Sequence, residues 1–132
     1  MIDLREDADL AQKVRKNAYA PYLPYTVGAV LTSKSGKKYT GCNVQNIGVE
    51  SICAERVAFC KAISEGETEF ERIVIVGGEK EKEEEKCLPC GYCRQFMKEF
   101  VNNEFKICSI YQNTVEEYTL DELLPYSFEL KK

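Results

Sequence analysis

Histidine is absent from these 132 residues, and that absence restricts the available chemistry. Any metal must be held by sulfur or carboxylate, and any general acid or base must be something other than imidazole. Also missing is a run of about 18 apolar residues, the minimum for a membrane-spanning helix. The opening Met-Ile-Asp-Leu-Arg-Glu-Asp is acidic and polar where an export signal would be basic and then apolar. This reading places the protein in the cytoplasm with no membrane partner. There is no basic surplus either: 18 Lys and Arg against 22 Asp and Glu leave a net charge of −4. Binding to duplex or tRNA normally leaves a basic footprint, so a nucleic-acid partner is disfavoured and a small or uncharged substrate suits the balance better. The chain has no internal repeat and no low-complexity segment.

What is present is an ordinary globular composition, 44% apolar and 30% charged, at a length that predicts one domain over residues 1–132. Seven cysteines, an odd number without a secretory signal, do not read as a disulfide framework. They read as metal ligands or as thiols kept reduced.

Leu4, Ala8, Ala11, Val14 and Ala18 recur every three or four residues, predicting an amphipathic helix over Asp3–Ala18 with Asp3 as N-cap. Val27–Leu31 and Lys38–Gly41 flank Ser-Lys-Ser-Gly, a turn-like cluster that predicts a hairpin. Cys53–Glu65 reads as a second helix with Phe59, Ala62 and Ile63 on one face, stopped by Gly66. Ile73–Val76 reads as a strand covered on both faces and ended by Gly77 and Gly78, and the charged run Glu79–Lys86 as a solvated loop. Cys90–Val101 is a third helical pattern, Phe105–Ile110 and Val115–Tyr118 are strands, and Thr119 with Glu122 makes a capping box before a short last helix. The strand-helix-strand run from Ile73 to Ile110 predicts a crossover with parallel strands, hence an α/β fold with a mixed sheet covered by helices.

The strongest local signal is Pro89-Cys90-Gly91-Tyr92-Cys93 at a helix start. In a first turn, residues three apart lie on the same side, so both sulfurs can face one ion, and the positive end of the helix favours thiolate over thiol. Alone, this spacing serves a redox dithiol, a zinc site or an iron-sulfur site equally well. The second signal is Cys53-Ala54-Glu55, also at a helix start. Residues two apart point to roughly opposite sides of a helix, so Cys53 must occupy the cap position if its sulfur and the Glu55 carboxylate are to converge. Three thiolates and a solvent molecule would give zinc an open position, the arrangement of a catalytic site. Arg56 offers a cation beside a dication overcompensated by three thiolates. Cys87 reads as a bystander because no fourth cysteine followed by proline completes an iron-sulfur run. Cys60 and Cys108 read as small buried hydrophobes, and Cys42 as structural.

Cys-Ala-Glu followed by Pro-Cys-x-x-Cys is the signature of zinc nucleobase deaminases with cysteine in place of histidine. Together with Ala20-Pro21-Tyr22, Val27-Gly28-Ala29, Gly41-Cys42-Asn43-Val44-Gln45-Asn46, Arg56, Arg94-Gln95 and Leu123-Leu124-Pro125, it makes the chain resemble the small homotetrameric cytidine deaminases almost end to end. The resemblance implies a three-layer α/β/α fold with a mixed central sheet of about five strands and one Zn2+ per chain on Cys53, Cys90 and Cys93. It implies hydrolysis of cytidine or deoxycytidine at C4, with Glu55 carrying protons to N3 and the departing amine. Asn43, Gln45, Ala54, Tyr25 and Phe128 fall on substrate-binding positions, Phe128 by insertion into a neighbouring subunit of a homotetramer.

The chain departs from that family at two places. Gln45 stands where the family has glutamate, exchanging a charged acceptor for a neutral amide. The stretch 47–52 lacks the common tyrosine and is one residue shorter, so contacts to the 5′ end of a nucleoside are not carried over. Another aminated heterocycle as substrate, a non-catalytic zinc or redox protein, and polynucleotide editing are the competing readings, the last disfavoured by the acidic balance.

Overall fold

The structure is a computed structural model that describes residues 3–47 and 50–130; Gly48 and Val49 of the divergent stretch 47–52 lie outside the described residues. In chain order the elements are α1 (Arg5–Arg15), β1 (Tyr25–Ser33), β2 (Lys38–Cys42), α2 (Ala54–Ser64), β3 (Phe70–Glu79), α3 (Gly91–Lys98), β4 (Lys106–Tyr111), β5 (Thr114–Tyr118) and α4 (Leu120–Leu123). The strands form one sheet in the order β2-β1-β3-β4-β5. The β1/β2, β1/β3 and β4/β5 pairs are antiparallel, while β3/β4, joined through α3, is parallel.

Alternation along β1 sorts its residues into two layers. Val27, Ala29 and Leu31 join Ile73, Ile75 and Ile107 in a core completed by Ala58, Phe59 and Ala62 of α2 and by Cys93 and Met97 of α3. On the other face Val30 and Val76 pack with Ala11 of α1. The result is the expected three-layer α/β/α arrangement with five strands. Gly28 permits the approach of α1, since a Cβ there would lie 1.9 Å from the Ala11 carbonyl oxygen.

Helix α1 differs from its sequence reading. Asp3 is not the N-cap; Leu4 is, and the Asp3 carboxylate instead accepts from the Arg5 backbone N–H at 2.9 Å. The residues it buries most deeply are Asp7, Ala11 and Arg15, a stripe with a charge at each end, while Leu4, Ala8, Val14 and Ala18 stay partly exposed. Asp7, only 1% exposed, pairs with Lys38 and, at 3.1 Å, with Arg72. Arg15 donates to Thr26 and to the backbone carbonyls of Glu79 and Lys82. Burial of these charges is tolerated because each is paired or hydrogen-bonded.

Two further expectations are corrected. Gly77 and Gly78 do not end β3, which continues to Glu79; they are there because Cys87 and the Arg15 guanidinium occupy the space that side chains would fill. Cys60 is exposed on the outer side of α2, whereas Cys108 is buried as expected. The charged run after β3 is mostly solvated but latched, since Glu84 accepts from Gln12 and from the Gln112 backbone. Gly66 adopts the left-handed conformation at the end of α2, and the Thr119–Glu122 capping box is formed. Among the described residues, no helix is long and apolar enough to cross a membrane.

The α1 pairing generates a prediction. Asp7→Ala leaves two cations facing an apolar gap and is expected to cost about 3–5 kcal/mol of stability, read from urea denaturation, whereas Asp3→Ala leaves the midpoint close to that of the wild type. Equal effects of the two substitutions would contradict a structural role for the buried pair.

Candidate metal and catalytic site

The two cysteine motifs fall on two helix starts that face one another. Cys53 is the N-cap of α2 and Cys90 the N-cap of α3, both with extended backbone (φ −75°, ψ 154° and φ −68°, ψ 168°). The cap position demanded by the Cys53–Glu55 spacing is therefore met. Neither sulfur caps its own helix, so both remain available as ligands, and Cys93 joins them from the first turn of α3. The depth of α2 is set at Gly41, where a Cβ would lie 2.4 Å from the Ala54 carbonyl and 2.7 Å from the Ala58 nitrogen.

The Sγ atoms of Cys53, Cys90 and Cys93 lie within 4.8 Å of one another, with Cys53–Cys90 and Cys90–Cys93 each at 3.6 Å. Tetrahedral zinc with ligands at about 2.3 Å has ligand–ligand edges of about 3.8 Å, so the donor set fits that ion. Cys93 is buried and Cys90 exposed, which leaves one side of the cluster open to solvent. Cys87 is not part of the cluster; burial pushes its thiol up to about 12, and its backbone N–H donates to Ser109 Oγ.

The electrostatics favour thiolate at Cys53: the neighbouring Cys93 thiol, helped by Arg56, holds its pKa well below the usual thiol range, and the Cys93 thiol is correspondingly raised. Arg56 Nη2 lies 3.7 Å from Cys53 Sγ. Its guanidinium carbon stands 4.1 Å from the centre of the Tyr92 ring, a cation–π distance. Tyr92 is a site residue that sequence reasoning missed; its signal is positional, because it falls in the first turn of α3 as Arg56 does in that of α2. Glu55 is only 4% exposed, and burial, followed by the Cys53 charge, pushes its carboxyl up to about 7.

The other predicted positions vary in their relation to this cluster. Ala54 is fully buried at the start of α2, and Tyr25 packs against the same core as Cys53. Asn43 accepts from the Val27 N–H at 2.8 Å and donates to the Tyr25 carbonyl at 3.0 Å, while Gln45 holds the Tyr22–Leu23 backbone. Phe128 is exposed, with its carbonyl held by Gln95 of α3. Arg94, also on α3, donates to the carbonyls of Pro89 and Leu123 and so ties the approach to Cys90 to α4. A groove of about 1280 Å³ lies on the opposite face of the sheet, floored by Val76, Cys108 and Ile110, and includes none of these residues.

Three sulfur donors with no fourth metal-ligating side chain grouped with them among the described residues fit a catalytic rather than a structural zinc site, and the buried carboxylate beside them suits such a site to hydrolysis. Comparison with known proteins agrees. Residues 3–109 match the family described as the cytidine and deoxycytidylate deaminase zinc-binding region. The chain is 38% identical over 120 residues to a cytidine deaminase of Sporosarcina psychrophila, covering 89% of this chain and 85% of that protein. It is 37% identical over 127 residues to a probable cytidine deaminase of Dictyostelium discoideum, covering 96% and 84%. The crystal structure of cytidine deaminase from Burkholderia pseudomallei superposes with a TM-score of 0.85 at 33% identity, covering 96% of this chain and all of that one. The chain belongs to the cytidine and deoxycytidylate deaminase family, and it is a zinc-dependent deaminase.

Purified protein is expected to carry one zinc per chain, with X-ray absorption reporting three sulfurs at about 2.3 Å and one lighter atom. Cys93→Ser should lower zinc occupancy and Cys87→Ser should not. A fourth sulfur in the coordination shell would make the site structural and defeat this assignment.

Proposed function

We propose that this chain hydrolyses cytidine, deoxycytidine or both to the corresponding uridine nucleoside and ammonia. The observation that carries the reading is the convergence of three sulfurs at two helix starts beside a buried glutamate. Cys53, Cys90 and Cys93 would hold the zinc, which when bound supplies a water acidic enough to lose a proton near neutrality and add at C4 of the base. Glu55 takes that proton and delivers it to N3, then takes the remaining proton of the hydroxyl added at C4 and passes it to the amine as it leaves. Water supplies the carbonyl oxygen of the product and two protons, one ending on N3 and one on the departing ammonia, so no redox partner is needed. Its buried setting keeps Glu55 out of bulk solvent, where a stray water would compete for the proton.

Around the base, the Ala54 backbone and the Tyr25 ring form the pocket, and Asn43 serves the sugar, assignments supported by the family resemblance. Arg56, fixed by Tyr92, offsets the surplus negative charge of three thiolates and keeps the metal electron-poor enough to acidify water. The active assembly is a homotetramer in which Phe128 completes a neighbour's site. In support, Tyr126 is fully exposed and Phe128 68% exposed in the single chain, apolar surface that a partner would cover.

Glu55→Gln is expected to retain zinc and fold while losing about 10²–10⁴-fold in kcat; near-normal turnover would remove Glu55 from the mechanism. Deleting the chain from Tyr126 onward should leave zinc bound but raise KM or abolish activity. Sedimentation of the full-length protein as an active monomer, or full activity of the truncation, would return Phe128 to a packing role.

A further inference from the structure

Gln45 is engaged with the loop before β1 rather than left free. Its side-chain oxygen accepts from the backbone N–H groups of Tyr22 and Leu23, each at 3.0 Å, and its nitrogen donates to the Leu23 carbonyl at 2.7 Å. These partners fix the orientation of the amide, because the two donors must meet its oxygen and the carbonyl must meet its nitrogen. The Leu23 carbonyl also accepts from the Tyr25 N–H at 2.7 Å, closing a three-residue turn around Pro24. The backbone N–H of Gln45 donates to the Tyr19 carbonyl at 2.8 Å.

Asn43, two residues earlier and so on the same side of an extended segment, holds the Tyr25 carbonyl and the Val27 N–H. The two amides therefore grip the backbone on both sides of Tyr25. The Tyr25 side chain packs against the core that contains Ala54, Cys87 and Cys93 and borders Cys53. A shift in the Leu23–Pro24–Tyr25 turn is thus carried directly to the wall of the base pocket.

We propose that Gln45 is a positioning residue whose amide sets the Tyr22–Tyr25 turn and, through it, the Tyr25 wall, rather than an acceptor for a sugar hydroxyl. The proposal rests on the cytidine-hydrolysing function given above. Its chemical core is that the position needs a donor and an acceptor together. A carboxylate accepts from Tyr22 and Leu23 but faces the Leu23 carbonyl as a second acceptor, which opens the turn. A protonated carboxyl regains a donor and closes it.

Gln45→Glu and Gln45→Met are compared with the wild type for KM and kcat on cytidine and deoxycytidine between pH 8 and pH 4.5, with zinc content and circular dichroism as controls. Both variants are expected to raise KM by about three- to tenfold at pH 8, the scale of one or two lost hydrogen bonds, with kcat within about twofold. The Gln45→Glu defect shrinks as pH falls toward the ordinary carboxyl range of about 4.3, whereas the Gln45→Met defect stays constant relative to the wild type. An unchanged or lowered KM in Gln45→Glu overturns the proposal, because a carboxylate is the better acceptor for a hydroxyl and would improve a direct sugar contact. Amide hydrogen exchange at Tyr22 and Leu23, severalfold faster in Gln45→Met, tests the grip without turnover. An inactive wild type with that exchange result would therefore fail the functional reading and leave the structural one standing.

Discussion

The site depends on two helix starts being held at one separation, and the side chain that holds them is Phe59. It lies on α2, fully buried. Its ring sits 6.3 Å from Phe96 of α3, 6.2 Å from Phe100 just beyond that helix, 5.1 Å from Phe70 and 6.0 Å from Phe105. Edge-on and tilted packing at these distances resists sliding as well as separation, because each ring blocks the path of the next. Gly41 fixes the remaining coordinate by letting α2 settle against β2. With both constraints in place, sulfurs from residues 37 apart in sequence come to 3.6 Å. The ligand geometry is a property of the core, and the sulfurs report how accurately the core is packed.

Bringing three sulfurs and a carboxylate together concentrates negative charge, and the protein answers it locally. The positive ends of α2 and α3 point at the cluster, Arg56 reaches Cys53, and Tyr92 covers the guanidinium. The chain as a whole is acidic, so this compensation comes from geometry rather than from composition. The packed helix starts set the three sulfurs within 4.8 Å of one another, so little reordering would be needed for them to hold an ion.

The parts of the molecule legible in the sequence are those governed by short-range rules. Cys53 at a cap, Cys90 and Cys93 in one turn, the Thr119–Glu122 box and the parallel β3/β4 pair each follow from spacing of a few residues or from the handedness of a single crossover. The illegible parts depend on partners far along the chain. Asp7 is buried because Lys38, 31 residues away, and Arg72, 65 away, meet it, and periodicity in α1 carries no trace of either. Gly77 and Gly78 read as a strand end because glycine ends strands often; their actual reason is the side chains above them. The stacking of Tyr92 on Arg56 joins two helices whose relative placement no local pattern encodes. The hold of Gln45 on the Tyr22–Leu23 backbone is likewise a contact across more than 20 residues.

Gly77 and Cys87 share one volume. A Cβ at 77 would fall 2.7 Å from the Cys87 sulfur, inside any permissible separation, so the sulfur occupies the space that a side chain on β3 would otherwise take. The two positions are therefore complementary in size: an alanine at 77 requires something smaller than cysteine at 87, and a larger residue at 87 requires glycine at 77 together with a shift of the backbone leading to Pro89. Because position 87 lies three residues before Cys90, a lone change on a β-strand with no functional group would reach the sulfur cluster as a displacement of the loop that carries Cys90.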